Sequence, residues 1–258
     1  MEKLGTHISK RPTFLSTLQD FYEKDDNVDK PVQIFTGSPK FWRRSPLSAK
    51  DVDDTKKYVK QHNLRVYIHS IYLVNLSKPV EEFMEKGFEY LRWELENGHK
   101  MGFRGVVVHC GKSCKLEKGK ALENMYANMA RLIPYISPSC PLLLETSAGQ
   151  GTELCWKYDD FNEFYGIFGE GEKQHIKICI DTCHVFAAGH DPLKFLEDWE
   201  RDNPGSLVLV HFNDSKFDLG KRKDRHEIPG DGYIGMEKMQ KVAEWCEKHN
   251  YPIVGEFS

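Results

Sequence analysis

A repeated alternation constrains this chain more than any other feature. Short runs of β-branched and aliphatic residues recur eight times: KLGTHI (3–8), VQIFTG (32–37), RVYIHS (65–70), GVVVHCG (105–111), PLLLETS (141–147), IKICIDT (176–182), LVLVHFND (207–214) and YPIVGEFS (251–258). Between them, apolar residues return every three or four positions, the period of a helix with one buried face. Val80, Phe83, Met84, Phe88, Leu91 and Leu95 form one such stripe. Leu122, Met125, Tyr126, Met129, Leu132 and Ile133 form a second, and Met236, Met239, Val242 and Cys246 a third. Ser48 followed by Asp51 reads as a variant capping box opening another helix, and Pro192 suits a first helical position. Strands alternating with helices predict a parallel sheet covered by its crossovers. Eight strands with seven intervening helices predict an α/β fold of one domain over residues 1–258, a (β/α)8 TIM barrel, which is usual at this length. The eighth run reaches the end of the sequence, so the final closing helix is expected to be lacking.

Composition narrows the class. Hydrophobic residues make up 40% and charged residues 29%, the balance of a globular protein with a large core. No apolar run approaches the roughly 18 residues of a membrane helix, and MEKLGTHISKRP holds no stretch of signal-peptide length. These features predict an intracellular protein with no membrane partner, and do not separate cytoplasm from nucleus. Seven scattered cysteines predict reduced thiols rather than a disulfide framework. Cys110 and Cys114, and Cys179 and Cys183, stand four apart and lack a zinc-knuckle spacing, so they read as packing residues. A net charge of -3 speaks against nucleic acid unless bound cations change the balance.

Metal-binding residue types fall at the ends of the predicted strands. His69 ends the third, His109 the fourth, Glu145 the fifth and Asp181 the sixth, with His184 three residues on. His211 lies in the seventh, Asp224 and His226 follow in a long loop, and Glu256 ends the eighth. Barrel active sites lie at the C-terminal ends of the strands, so these nine side chains converge on one mouth. A single strand histidine is more often a hydrogen-bonded core residue, and a single Asp at a strand end is often a helix cap. Nine on one rim point to metal, because four carboxylates packed together repel unless cations sit among them. Imidazole and carboxylate suit zinc, manganese or iron. Nine donors exceed one tetrahedral ion and suit two or three, with a carboxylate bridging. Three divalent ions shift the formal charge from -3 to about +3 and draw a phosphate to the mouth. Such centres activate water and stabilise the leaving oxygen in phosphoryl chemistry.

The segments LLLETSAGQGTELC (142–155), ICIDTCHVFAAGHD (178–191), HFNDSK (211–216) and DRHEIPGDGYIG (224–235) resemble the signature blocks of the endonuclease IV family of apurinic/apyrimidinic endonucleases. HSIYLVNLSKP (69–79) and IFTGSPKFW (34–42) match two more, and the blocks run in family order along nearly the whole chain. The resemblance implies a (β/α)8 barrel with three zinc ions. His69, His109 and Glu145 would hold the first. Glu145 would bridge to the second, completed by Asp181, His211 and Glu256, and His184, Asp224 and His226 would hold the third. Manganese or iron in one site is compatible with the same donors. The implied reaction is hydrolysis of the phosphodiester 5′ of an abasic deoxyribose in double-stranded DNA, with Glu145 as the catalytic carboxylate. It leaves a 3′-hydroxyl and a 5′-deoxyribose phosphate, and relatives also clear blocked 3′ ends. Lys40, Tyr72 and Leu73 align with residues that enter the duplex beside a flipped-out nucleotide. A sugar without its base has lost its stacking and costs less to flip. A duplex must approach the mouth freely, which favours a monomer.

Departures from the family pattern leave every implied ligand in place. Lys40 stands where Arg is usual and Ser38 where Asn is usual, and a Lys does not reproduce the planar fork of Arg. HCG (109–111) replaces HPG, and Lys10–Arg11–Pro12 replaces the glycine pair after His7. Lys216, Lys221, Arg222, Lys223 and Arg225 form a basic run beside the mouth, a solvated face by composition and a phosphate contact by position. Two other functions remain open: a metal-dependent sugar isomerase or epimerase on the same barrel, and a damage-recognition protein that does not cut. The extra group His184, Asp224 and His226 weighs against the first, and a complete hydrolytic set against the second.

Overall fold

The computed structural model describes residues 3–24, 27–44 and 46–257. Its barrel strands are β1 (Gly5–Ser9), β2 (Val32–Phe35), β3 (Val66–His69), β4 (Val106–His109), β5 (Leu142–Glu145), β6 (Ile176–Asp181) and β7 (Leu207–His211). A small antiparallel pair follows, β8 (Asp214–Ser215) and β9 (His226–Glu227), and then the eighth barrel strand, β10 (Ile253–Gly255). The barrel closes in the order β1-β10-β7-β6-β5-β4-β3-β2 with every neighbouring pair parallel. All eight predicted runs hold a barrel strand, most of them trimmed by a few residues, while β1 starts two residues late and ends one residue past its run. Ser258, the end of the last run, lies outside the described residues.

The helices are α1 (Phe14–Tyr22), α2 (Ala49–Gln61), α3 (Val80–Met101), α4 (Lys118–Leu132), α5 (Tyr158–Gly166), α6 (Thr182–Ala187), α7 (Pro192–Asp202) and α8 (Met236–Lys248). The expected seven crossover helices become eight because the chain between β6 and β7 folds into two, α6 and α7. Among the described residues none follows β10. None of the described helices is long and apolar enough to cross a membrane.

Two helix starts were read from sequence, and one is corrected. Pro192 opens α7 behind Asp191, whose Oδ1 accepts from Leu193 N at 3.1 Å and Lys194 N at 3.2 Å. Ser48 caps α2, accepting from Asp51 N at 3.1 Å. Asp51 does not complete the box. Its carboxylate instead accepts from Phe14 N (2.9 Å) and Leu15 N (3.1 Å) and caps α1. A carboxylate at a helix N-terminus satisfies donors that have no partner inside the helix.

Strand side chains alternate, and here the alternation sorts the chemistry. Val66, Ile68, Val106, Val108, Leu142 and Leu144 point outward into the shell of helices. Tyr67, Val107, Leu143, Cys179, Leu209 and Val254 point inward and close into a separate apolar plug. Burying each large aliphatic side chain contributes about 1.5–3 kcal/mol. Two residues further along each strand direction the inward side chain is His69, His109, Glu145, Asp181, His211 or Glu256. The apolar plug thus floors a polar rung. Cys179 belongs to the plug and Cys110 and Cys183 are also buried, but Cys114 is exposed, so the packing reading fails there. Met84 and Met236 likewise fall on their helical stripes yet stand 38% and 48% exposed.

Candidate metal centre

Six of the nine candidate ligands form the polar rung. Glu145 lies at its middle, fully buried. Its Oε2 stands 3.1 Å from His109 Nε2 and 3.4 Å from His69 Nε2, while Oε1 stands 3.0 Å from His211 Nδ1. The two oxygens therefore address different histidines. On the second side, His211 Nδ1 is also 3.1 Å from Glu256 Oε2 and 3.8 Å from Asp181 Oδ2. One donor atom from each of Glu145, Asp181, His211 and Glu256 falls within a span of 4.8 Å, and the same holds for His69, His109 and Glu145.

The remaining three candidate ligands come from beyond the barrel strands. Asp181 ends β6 and caps α6, its Oδ1 accepting from His184 N at 2.9 Å, while its Oδ2 stays on the side of the candidate ligands. The first turn of α6 carries His184, whose Nδ1 donates to Thr146 O at 2.8 Å and leaves Nε2 facing outward. Asp224 Oδ1 lies 3.2 Å from His184 Nε2 and 3.2 Å from His226 Nε2. Asp181 Oδ2 is 3.5 Å from the same nitrogen of His226 and ties the outer group to the rung.

Electrostatics and hydrogen bonding both fit cations here. Burial alone would keep Glu145 neutral, yet His109 and His211 hold its carboxyl well below the usual range. Burial opposes charge on His184 too, but Asp181 and Asp224 hold its pKa well above the ordinary histidine value. In His226 the same contest, with Asp181 and Asp224 against burial, ends at about 9. The cluster therefore favours positive charge at its centre. Glu145 Oε2, His184 Nε2 and His226 Nε2 are buried and make no hydrogen bond despite their close neighbours. Buried polar atoms left unpaired this close together suit a shared cation. Imidazole nitrogen and carboxylate oxygen are the donors zinc takes.

Several supporting residues carried no sequence signal. Asn213 donates to Asp181 Oδ2 at 2.7 Å and accepts from Glu256 N at 2.8 Å. His7 and Gln33 both meet Glu256 Oε1, at 3.0 and 2.7 Å. Asp214, buried at the start of β8, binds the loop 230–235 through its carboxylate. A His, Gln or Asn inside an apolar strand is the one hint available, and it does not say which partner it meets.

The mouth is walled by two linked loops. Tyr72 is half exposed, with its ring centroid 5.7 Å from His69 and 5.5 Å from His109, and Leu73 beside it is 40% exposed. Tyr72 N donates to Pro39 O at 3.1 Å, joining this loop to the one carrying exposed Lys40. In the basic run, Arg222 is a clamp: its Nε donates to Gly149 O at 2.7 Å and its guanidinium covers the Trp156 ring at 4.7 Å. Lys216 and Lys221 are exposed.

Known proteins resemble this chain to different depths. A family model described as xylose isomerase-like TIM barrel matches residues 30–251. The chain is 33% identical to a protein named probable endonuclease 4 from Symbiobacterium thermophilum, covering 98% of this chain and 91% of that one. It is 32% identical to another of that name from Streptomyces avermitilis, covering 89% and 76%. Among solved structures, endonuclease IV from Thermus thermophilus superposes with a TM-score of 0.82 at 26% identity, covering 99% of this chain and 92% of that one. A D-tagatose 3-epimerase-like protein superposes at 0.73 with 18% identity, covering 98% and 89%, a likeness of fold alone.

Proposed function

This chain belongs to the endonuclease IV family, on the xylose isomerase-like TIM barrel, and from that premise we propose that it is a zinc-dependent hydrolase that cuts double-stranded DNA on the 5′ side of abasic sites. The products are a 3′-hydroxyl and a 5′-deoxyribose phosphate, and blocked 3′ ends are a second substrate. The observation that carries this reading is Glu145, whose two oxygens serve two separate sets of donors while a third set stands at the rim. His69 and His109 with Glu145 would hold one ion. Asp181, His211 and Glu256 with Glu145 would hold the second, and His184, Asp224 and His226 the third. When bound, such ions activate water for attack on phosphorus and offset charge on the departing oxygen.

The protein's own residues do the rest. The apolar plug closes the barrel beneath the site and keeps water from entering from below. Tyr72 and Leu73 present exposed apolar surface that replaces the stacking an abasic sugar has lost. Lys40 and the exposed lysines of the basic run face phosphates, which fixes the register of the duplex on the mouth. The enzyme acts as a monomer, leaving the mouth open to the duplex.

The test is incision of a duplex bearing one abasic analogue, with zinc measured in the same preparation. Cutting on the 5′ side with nearly three zinc per chain is the expected result. Zinc-loaded protein that leaves the duplex intact would overturn the reading. A sugar epimerase, favoured only by the likeness in fold, would then be screened for.

A further inference from the structure

Gln33 is the one amide side chain in the VQIF strand, and it is completely buried inside the barrel. In register it lies beside His7 on β1 and Tyr67 on β3. Its side chain reaches across the lumen. Nε2 lies 2.7 Å from Glu256 Oε1 and 3.0 Å from His7 Nδ1, and Oε1 lies 2.8 Å from His211 Nε2. Neither His211 nor Glu256 is a neighbour of β2 in the sheet.

The orientation of this amide follows from chemistry. A carboxylate oxygen only accepts, so the amide nitrogen must face Glu256. The amide oxygen then faces His211 Nε2, and it too only accepts. His211 must therefore carry its proton on Nε2. In the neutral ring that leaves the lone pair on Nδ1, the atom 3.0 Å from Glu145 Oε1 and 3.1 Å from Glu256 Oε2. Without the amide oxygen, either tautomer is open to the ring, and the other one turns an N–H toward the ligand position.

We propose that Gln33 is a positioning residue of the second metal subsite: its amide oxygen fixes His211 as the Nε2–H tautomer while its amide nitrogen orients Glu256. This rests on the metal reading above but not on the choice of DNA as substrate. Outer partners of this kind change metal affinity by about 10–100-fold when removed.

Two measurements test it, and neither uses activity. In wild-type protein labelled with 15N-histidine and loaded with zinc, long-range nitrogen–proton spectra read the tautomer of each ring. Protonated Nε2 and metal-bound Nδ1 at His211 is expected, and the reverse assignment overturns the proposal. In Gln33→Met, which removes both bonds at similar volume, chelator competition should show one zinc held about 10–100-fold more weakly and the others unchanged. Gln33→Glu keeps an acceptor toward His211 and should keep the wild-type tautomer. Full zinc affinity in Gln33→Met overturns the proposal, as does wild-type protein that takes up no zinc. Should Gln33→Met not fold, the wild-type tautomer decides. A protein that binds zinc as described yet leaves abasic DNA uncut refutes the DNA reading alone.

Discussion

The six candidate ligands on the barrel rung and the three at the rim are held by different means. Each rung residue ends a strand or stands one residue past its end, with hydrogen-bonded neighbours in a closed sheet. Glu145, Asp181 and His211 are completely buried. The outer group comes from the first turn of α6 and from the loop ending in β9, and the side chains of Asp224 and His226 stay 30% and 19% exposed. The rung is preorganised by the same ladder that closes the barrel. The outer group depends on a loop held by separate bonds to other loops and helices, among them Gly220 N to Phe186 O, Arg222 N to Ala187 O and Arg222 Nε to Gly149 O, and by no continuous sheet ladder. Two sites so joined should fail separately, the inner through its bridging carboxylate and the outer through its loop.

The inner failure should be the larger. Glu145→Gln keeps the shape but replaces one oxygen by a donor, so one of the two histidine sets loses its anionic partner. Breaking a buried charge network from one side costs roughly 3–5 kcal/mol. Incision is expected to fall by at least about 10^3-fold, and zinc content to drop toward about one ion per chain, held by His184, Asp224 and His226. Undiminished cutting by this variant would refute the metal assignment.

A second buried carboxyl sharpens the contrast, because it lacks the histidines. Glu94 on α3 is as buried as Glu145 and receives a 2.7 Å bond from Thr36 Oγ1, with the Ser70 hydroxyl nearby. With no facing imidazole, burial pushes its pKa up to about 8, the opposite direction from Glu145. Its folded pKa exceeds its unfolded one. No stability is lost below about pH 4, where both states are protonated. As pH rises toward 8 the unfolded chain gives up the proton first, and stability declines. Above that window the full cost, on the order of 4 kcal/mol, is in place. Glu94→Gln cannot ionise and should remove this decline, standing level with wild type near pH 4 and more stable at pH 9 in denaturant titrations. Parallel curves across that range would show that Glu94 is ionised in the fold.

Much of this was written in the sequence where structure is periodic. Continuous β-branched and aliphatic runs mark the strands, and their ends place His69, His109, Glu145, Asp181, His211 and Glu256 at one mouth. The outer group has no period to read. Asp224 and His226 lie outside every predicted strand run; their residue types in the long loop marked them as candidates, and only likeness to known blocks grouped them with His184. Long-range partners were silent for the same reason. Asp51 looked like the second half of a local box, but it caps a helix 37 residues away. Gln33 drew no reading from the sequence, because its partner His211 lies 178 positions along the chain. The split of one crossover into α6 and α7 was hidden because its first helix is only six residues long.

The outer failure should be smaller and should spare the rung. Asp214 accepts from Ser215 N (2.7 Å), Gly230 N (2.9 Å), Ile234 N (2.8 Å) and Gly235 N (3.1 Å), so a single carboxylate gathers the loop that follows β9. The approach is close enough that a Cβ on Gly232 would stand 2.4 Å from Asp214 Oδ1, which only glycine permits. Asp214→Ala leaves these donors without a partner. Buried, each would cost about 1–3 kcal/mol; a loop at the rim can turn some of them to water, so a net loss of about 2 kcal/mol is expected. The zinc content should fall toward about two per chain, with the rung ions retained. Gly232→Ala would press on the same carboxylate and, at 2.5 Å, on the Ser215 backbone oxygen, so it should give a loss at least as large. If either variant instead lost the rung ions first, the two groups would be one cooperative unit, and the separation drawn from their supports would be wrong.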